Sequence, residues 1–232
     1  MSESIHERYQ NIKTRIADAC KKADRDPSEI ILIAVSKLKP DEDVIELLKD
    51  GQLHFGENRA KALEDRMTAI PDESIQWHFI GNLQTNKIKY IAHRVNWIQS
   101  VHKKKALKEI EKRAAQENRT INTLIQVNIS EEDQKSGCAP EDLEKILQYG
   151  QSLKHTNVCG LMGMATYTDD HEVVRPEFKL LKQLSEEHQH LNDGAVNLQH
   201  ISMGMTNDFD VAIEEGATIV RIGTAIFGER NY

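Results

Sequence analysis

The chain has 232 residues, a length that fits one large α/β domain or two small ones. Its 30 Lys and Arg against 37 Asp and Glu leave a formal charge of −7, a balance that repels a polyanion and argues against nucleic-acid binding. No apolar run approaches the ~20 residues of a membrane helix, and Met1 to Arg8 is charged where a secretory leader is apolar, so a cytoplasmic protein is expected.

The first element in the chain is a helix. Ile5, Tyr9, Ile12, Ile16, Ala19 and Cys20 fall along one helical face, and the pattern stops near Asp26-Pro27, which makes residues 1–26 an N-terminal helix. An alternation follows, in which short apolar runs lead into charged stretches of helical spacing. The runs are Ile30 to Ser36, Leu53 to Phe55, Gln76 to Ile80, Asn96 to Val101, Thr123 to Ile129, Val158 to Gly163, Leu198 to Ser202 and Thr218 to Ile222. Eight strands that each lead to a helix, in a chain of at least ~200 residues, predict a (β/α)8 TIM barrel over residues 30–228 rather than an open sheet. Without a Pro/Gly/Ser-rich linker, residues 1–232 read as a single domain.

In such a barrel, chemistry sits at the C-terminal ends of the strands. Lys37 directly follows Ile31-Leu32-Ile33-Ala34-Val35, which places an amine in the barrel mouth, where partial burial lowers its pKa and favours reaction with aldehydes. The alternative is a solvated loop lysine, as Lys39 is expected to be. Ser202-Met203-Gly204-Met205 and Gly223-Thr224 end the last two strands, where barrels often bind phosphate through backbone N–H groups, although glycine also serves turns for conformational reasons alone. Arg221 lies within the apolar run Ile219-Val220-Arg221-Ile222 and needs either a structural partner or a ligand. If Lys37 and the glycine loops held an aldehyde cofactor, Arg221 could donate to its pyridine nitrogen and keep that nitrogen unprotonated.

Several stretches carry a resemblance that runs from the first strand to the C-terminus. They are Ala34-Val35-Ser36-Lys37 with Pro40, Phe55-Gly56-Glu57-Asn58, Trp77-His78-Phe79-Ile80-Gly81, Gln126-Val127-Asn128-Ile129-Ser130, Ser202-Met203-Gly204-Met205, and Val220-Arg221-Ile222-Gly223-Thr224 with Ile226-Phe227-Gly228. In order and spacing they resemble the pyridoxal 5′-phosphate (PLP) homeostasis protein family. The resemblance implies an alanine-racemase-like barrel that binds PLP as a covalent aldimine on Lys37, with Asn58 beside the cofactor. It further implies Ser202, Gly204, Gly223 and Thr224 around the phosphate and Arg221 facing the ring nitrogen. Thr206-Asn207-Asp208 departs from the Ser-Asp-Asp or Ser-x-Asp common there.

A racemase needs a second acid/base group besides its lysine, which alanine racemases draw from an added β domain and a partner subunit. The chain ends about ten residues after the last strand at Tyr232, so the expectation is a carrier or buffer of PLP in vitamin B6 homeostasis, with a small amino-acid racemase as the alternative. A monomer that passes PLP to apo-enzymes is expected, with Ser130 to Gly137 as a gate, and the sequence leaves open whether Lys39 or Lys135 is a transient second site. The remaining features read as structural. Cys20, Cys138 and Cys159 have no C-x-x-C spacing and are expected to be reduced thiols, and the lysines from Lys103 to Lys112 alternate with glutamates as a solvated face. His188 and His190, two apart on a helix, should not face each other, so no metal is expected. His78 is expected to be an interior hydrogen-bonded histidine sooner than a catalytic one.

Overall fold

The computed structural model describes residues 3–130 and 136–228. In chain order the elements are α1 (Ile5–Lys22), β1 (Ile31–Val35), α2 (Asp41–Lys49), β2 (His54–Glu57), α3 (Ala60–Ala69), β3 (Gln76–Phe79), α4 (Ile88–Ile91), β4 (Trp97–Val101) and α5 (Lys104–Gln116). They continue as β5 (Ile121–Gln126), α6 (Pro140–Gly150), β6 (Thr156–Met162), α7 (His171–Glu187), β7 (Val196–Ser202), α8 (Phe209–Glu214), β8 (Ile219–Ile222) and α9 (Thr224–Phe227). The eight strands form a closed parallel barrel in sequence order, with β1 pairing β8 in the register Ile31 to Ile219 and Ile33 to Arg221.

Each expected run overlaps a strand, and the differences lie at the ends. Leu53, 41% exposed, stays outside β2, which starts at His54 and continues through Glu57. β5 stops at Gln126, three residues before the expected Ile129, because Val127 leaves the ladder for an isolated bridge to Cys138. At the N-terminus α1 is closed by a capping box between Ser4 and Glu7, a device worth ~1 kcal/mol. Its buried face, Ile5, Tyr9, Ile12, Ile16, Ala19 and Cys20, packs towards α2, α8 and α9, the helices that flank the β8–β1 seam.

Strand alternation divides the core into two layers. Ala34, Phe55, Trp77 and Phe79 pack outward against the helices. Ile33, Val35, Trp97, Leu124, Met162 and Ile219 form a smaller cluster inside the barrel. Much of the remaining interior is polar: His78, Gln99, Ser202 and Arg221 are all buried. Buried polar groups are tolerated only when they are paired, so these four must satisfy one another or a ligand.

Among the described residues no helix is long and apolar enough to cross a membrane. Cys20, Cys138 and Cys159 are free thiols, and burial pushes Cys138 up to about 12 and Cys159 up to about 11, so neither is a ready thiolate near neutral pH.

Candidate functional site

A cavity of about 500 Å³ opens at the C-terminal end of the barrel. Lys37 and Asn58 line one side, Gly223, Thr224 and the Met205 to Asp208 loop line the other, Arg221 and Gln126 lie deeper, and Val35, Ile80 and Met164 supply apolar surface.

The Lys37 side is a braced turn. The Lys39 N–H donates to the Ser36 carbonyl at 3.0 Å, which closes a tight turn with Leu38 in the left-handed region at φ +63°. Lys37 stands half-buried on this turn. Beneath it the Ser36 hydroxyl donates to Glu57 Oε1 at 2.8 Å, and Arg66 Nε lies 3.2 Å from the same oxygen. Arg66 also donates through Nη2 to the Lys39 carbonyl at 2.6 Å, so one guanidinium ties α3 to both ends of the bracing. Burial raises the Glu57 carboxyl above the usual range, while the charges of Arg66 and Lys37 and the Ser36 bond pull the other way. Lys39 points elsewhere: its Nζ donates to the carbonyls of Phe227 and Gly228 at 3.1 and 2.9 Å.

Asn58 is exposed at the end of β2. A Cβ on Gly81 would fall 1.9 Å from the Asn58 carbonyl oxygen, so only glycine lets the β3 loop approach the β2 loop this closely.

The opposite side is organised around Arg221, 4% exposed. Its Nη1 donates to Ser202 Oγ at 2.5 Å and its Nη2 to the Gly163 carbonyl at 3.0 Å. Among the described residues no carboxylate forms a salt bridge with it, so its charge is met by neutral oxygens. Burial brings the guanidinium down to about 10, with Asp208 acting in the opposite direction. Asp208 is itself buried and accepts from the Met205 N–H at 2.6 Å, which shapes the loop at the cavity wall.

Of the residues singled out from the sequence, Lys37, Asn58, Arg221, Gly223 and Thr224 meet around this cavity, whereas Ser202 and Gly204 do not reach its surface. Ser202 is fully buried behind Arg221. Gly204 sits at φ +91° under the loop, where a Cβ would come 2.6 Å from the Ala212 Cβ, and its carbonyl accepts from the Arg221 N–H at 3.0 Å. In their place Met205, Thr206, Asn207 and Asp208 line the wall. Sequence reasoning gave no site role to Gln126, Gln99 or Asp208. The two glutamines carried a signal, since each is a polar residue at an alternate position of an apolar strand.

His78 is fully buried and does not line the cavity. Its Nε2 meets His54 Nδ1 at 2.9 Å, its Nδ1 meets Gln99 Nε2 at 3.0 Å, and its ring stacks on Trp97 with centroids 5.5 Å apart. One expectation needs correction: α7 ends at Glu187, which places the rings of His188 and His190 near each other, stacked 6.3 Å apart. Each Nδ1 meets a backbone carbonyl, of Leu184 and Glu187 respectively, at 2.8 Å. The Ser130 to Gly137 gate falls largely on residues 131–135, Lys135 included, which lie outside the described residues.

Residues 8–231 match the family model described as alanine racemase, N-terminal domain. A pyridoxal phosphate homeostasis protein of Aquifex aeolicus is 43% identical over 226 residues, covering 97% of this chain and 98% of that protein. The chain belongs to the pyridoxal phosphate homeostasis protein family. Among solved structures, PipY of Synechococcus elongatus with PLP bound superposes with a TM-score of 0.80 at 29% identity, covering 92% of this chain and all of that one. An alanine racemase of Clostridium difficile in complex with cycloserine shares the fold at 13% identity and TM-score 0.70, and this chain covers 60% of that one. This chain thus shares its fold with the racemase barrel while matching the homeostasis protein of Aquifex along nearly the whole length of both.

Proposed function

We propose that this chain binds PLP through Lys37 and acts as its intracellular carrier and buffer, without turning over amino acids. The observation that carries the reading is one cavity that combines a half-buried lysine, a buried arginine unpaired with carboxylate among the described residues, and a glycine-threonine helix start. These donors suit the three polar ends of PLP: an aldehyde that a primary amine attacks, a ring nitrogen that accepts a hydrogen bond, and a phosphate that takes backbone N–H groups and hydroxyls. The name of the Aquifex relative and the PLP-bound PipY structure support the same ligand.

In this reading Lys37 is the site of covalent attachment and Asn58 flanks it. Gly223, Thr224 and the Met205 to Asp208 loop hold the phosphate end, while Ser202 and Gly204 support that wall from behind. Arg221 can only donate, so a ring nitrogen facing it stays unprotonated. When bound, PLP supplies an electron sink to attached amines, and an unprotonated ring nitrogen weakens that sink. The open mouth suits release to recipient apo-enzymes by a cytoplasmic monomer.

The racemase alternative requires a second acid/base group facing the ligand. On the cavity lining, Asp208 turns its carboxylate back to the Met205 N–H and Tyr167, 84% exposed, stands at the rim. Chiral analysis of L-amino acids incubated with the PLP-loaded protein, run beside reactivation of a PLP-depleted aminotransferase, separates the two readings. The account predicts reactivation without racemisation; racemisation that disappears in both Lys37→Ala and Tyr167→Phe would overturn it in favour of the enzyme.

A further inference from the structure

Behind Arg221 an unbroken file of polar side chains, buried as far as His78 and half-buried at His54, crosses the barrel. Arg221 Nη1 meets Ser202 Oγ at 2.5 Å and Ser202 Oγ meets Gln99 Oε1 at 2.7 Å. Gln99 Nε2 then meets His78 Nδ1 at 3.0 Å, and His78 Nε2 meets His54 Nδ1 at 2.9 Å. Arg221 belongs to the cavity, whereas His54 is the first residue of β2, at the opposite end of the barrel.

The arginine dictates how this file is protonated. A guanidinium only donates, so the Ser202 oxygen accepts from it and the single hydroxyl proton goes to Gln99 Oε1. The Gln99 amide nitrogen therefore points at His78 and donates, which makes His78 Nδ1 the lone-pair nitrogen. His78 is then neutral with its proton on Nε2, and His54 must accept at Nδ1. The reverse order fails at its first link, because a Gln99 amide nitrogen turned towards Ser202 would leave the buried hydroxyl proton without an acceptor. Burial of His78, which holds its pKa well below 6.5, agrees with a ring kept neutral.

We propose that Gln99 and His78 are positioning residues, which hold the Arg221 guanidinium towards the cavity through Ser202 in a file of hydrogen bonds whose direction the arginine sets. That this guanidinium faces the ring of PLP rests on the function proposed above; the direction of the file does not. A rigid guanidinium matters because a donor that swings away exposes the ring nitrogen to water and to protonation. The file also explains why polar residues occupy inward positions at which barrels usually place branched apolar side chains.

The first test needs no ligand. Long-range 1H–15N correlation spectra of the unloaded, 15N-histidine-labelled protein, with His78 assigned by comparison with a His78→Asn variant or, if that fails to fold, by elimination with variants of the other histidines, report which ring nitrogen carries the proton. The expected result is a neutral His78 with hydrogen on Nε2, moving to a mixture of tautomers in Arg221→Gln, which can accept as well as donate. A proton on Nδ1, or a His78 signal indifferent to Arg221→Gln, overturns the directional file whatever the protein binds. The second test uses PLP as the probe. Gln99→Leu should shift the visible absorption of the loaded protein and weaken PLP retention about tenfold, the effect of losing one buried hydrogen bond, with Gln99→Glu restoring part of it by accepting from Ser202. Retention and spectrum unchanged in Gln99→Leu would refute the positioning role, while failure of the wild type to bind PLP would refute the proposed function and leave the histidine result standing.

Discussion

On the β1–β2 side of the cavity the Lys37 amine stands on a turn whose bracing lies underneath it, in Ser36, Glu57 and Arg66, whereas on the β7–β8 side the charged group itself is pinned. Lys37 is half-buried at the end of four rotatable bonds; Arg221 is buried and held by two hydrogen bonds. The contrast follows from what each must do. An amine that joins to and parts from an aldehyde needs a fixed base, which the fold supplies through the backbone of the turn. A group that reads one ring atom works only if it stays still. The barrel therefore spends charge pairing outside the cavity on one side and neutral hydrogen bonds inside the barrel on the other.

Four changes would break or sharpen this contrast, taken from the largest effect downward. Lys37→Ala is expected to abolish covalent PLP attachment altogether while moving the thermal midpoint little, since the bracing lies below the side chain. Persistence of attachment on another lysine would place the reactive amine elsewhere. Glu57→Gln keeps an acceptor for Ser36 but removes the charge nearest the Arg66 guanidinium, leaving Asp41, 3.6 Å away, as its carboxylate partner. The expected loss is about 3 kcal/mol in chemical denaturation, at the low end for a broken buried pair. Gly204→Ala forces a side chain into the left-handed region against Ala212 and Phe209, a cost of about 2 kcal/mol, with PLP retention weakened because the Met205 to Asp208 loop shifts.

The smallest effect is on pH dependence. Burial lowers the pKa values of His54, His78 and His200 below the ordinary 6.5, with neighbouring histidine charges adding to the effect on His54 and His78. The unfolded chain then binds more protons than the folded one on the acid side. The stability these neutral rings contribute is fully present above about pH 6.5 and is lost as pH falls below it. Glu57 and Asp208, raised by burial, act in the opposite sense: their contribution is present below the ordinary carboxylate range and lost as pH rises through their raised values. Thermal midpoints should therefore fall from pH 7 to pH 5, and His54→Asn should flatten that slope; an unchanged slope would show that the histidines are not held neutral by the fold.

Much of the fold was legible because burial on both faces of a parallel strand favours apolar runs, clear in β1 and at their weakest in the very short run at β2 and the polar one at β7, while the regular alternation with helical stretches supplied the rest. What local pattern could not reveal were ends decided at a distance, such as the bridge from Val127 to Cys138 that shortens β5. In the site, Lys37 and Arg221 stood out because a charge at the end of, or inside, an apolar strand demands a reason. That Ser202 and Gly204 lie behind the cavity wall could not be read from residue type, since which part of the β7 loop faces the cavity depends on how Gly204 packs against Phe209 and Ala212. The file behind Arg221 was invisible for the same reason: Ser202 and Gln99 meet across a hundred residues of chain, and residue type alone does not name a partner.

The central claim, that this cavity holds PLP by Lys37, is tested most directly by borohydride reduction of the PLP-loaded protein followed by peptide mass mapping, in the wild type and in Lys37→Ala. The account predicts a yellow protein that carries a reduced pyridoxyl group on Lys37, with colour and label both lost in the variant. A wild type that stays colourless and unlabelled at Lys37, or a variant that labels as well as the wild type, would contradict it.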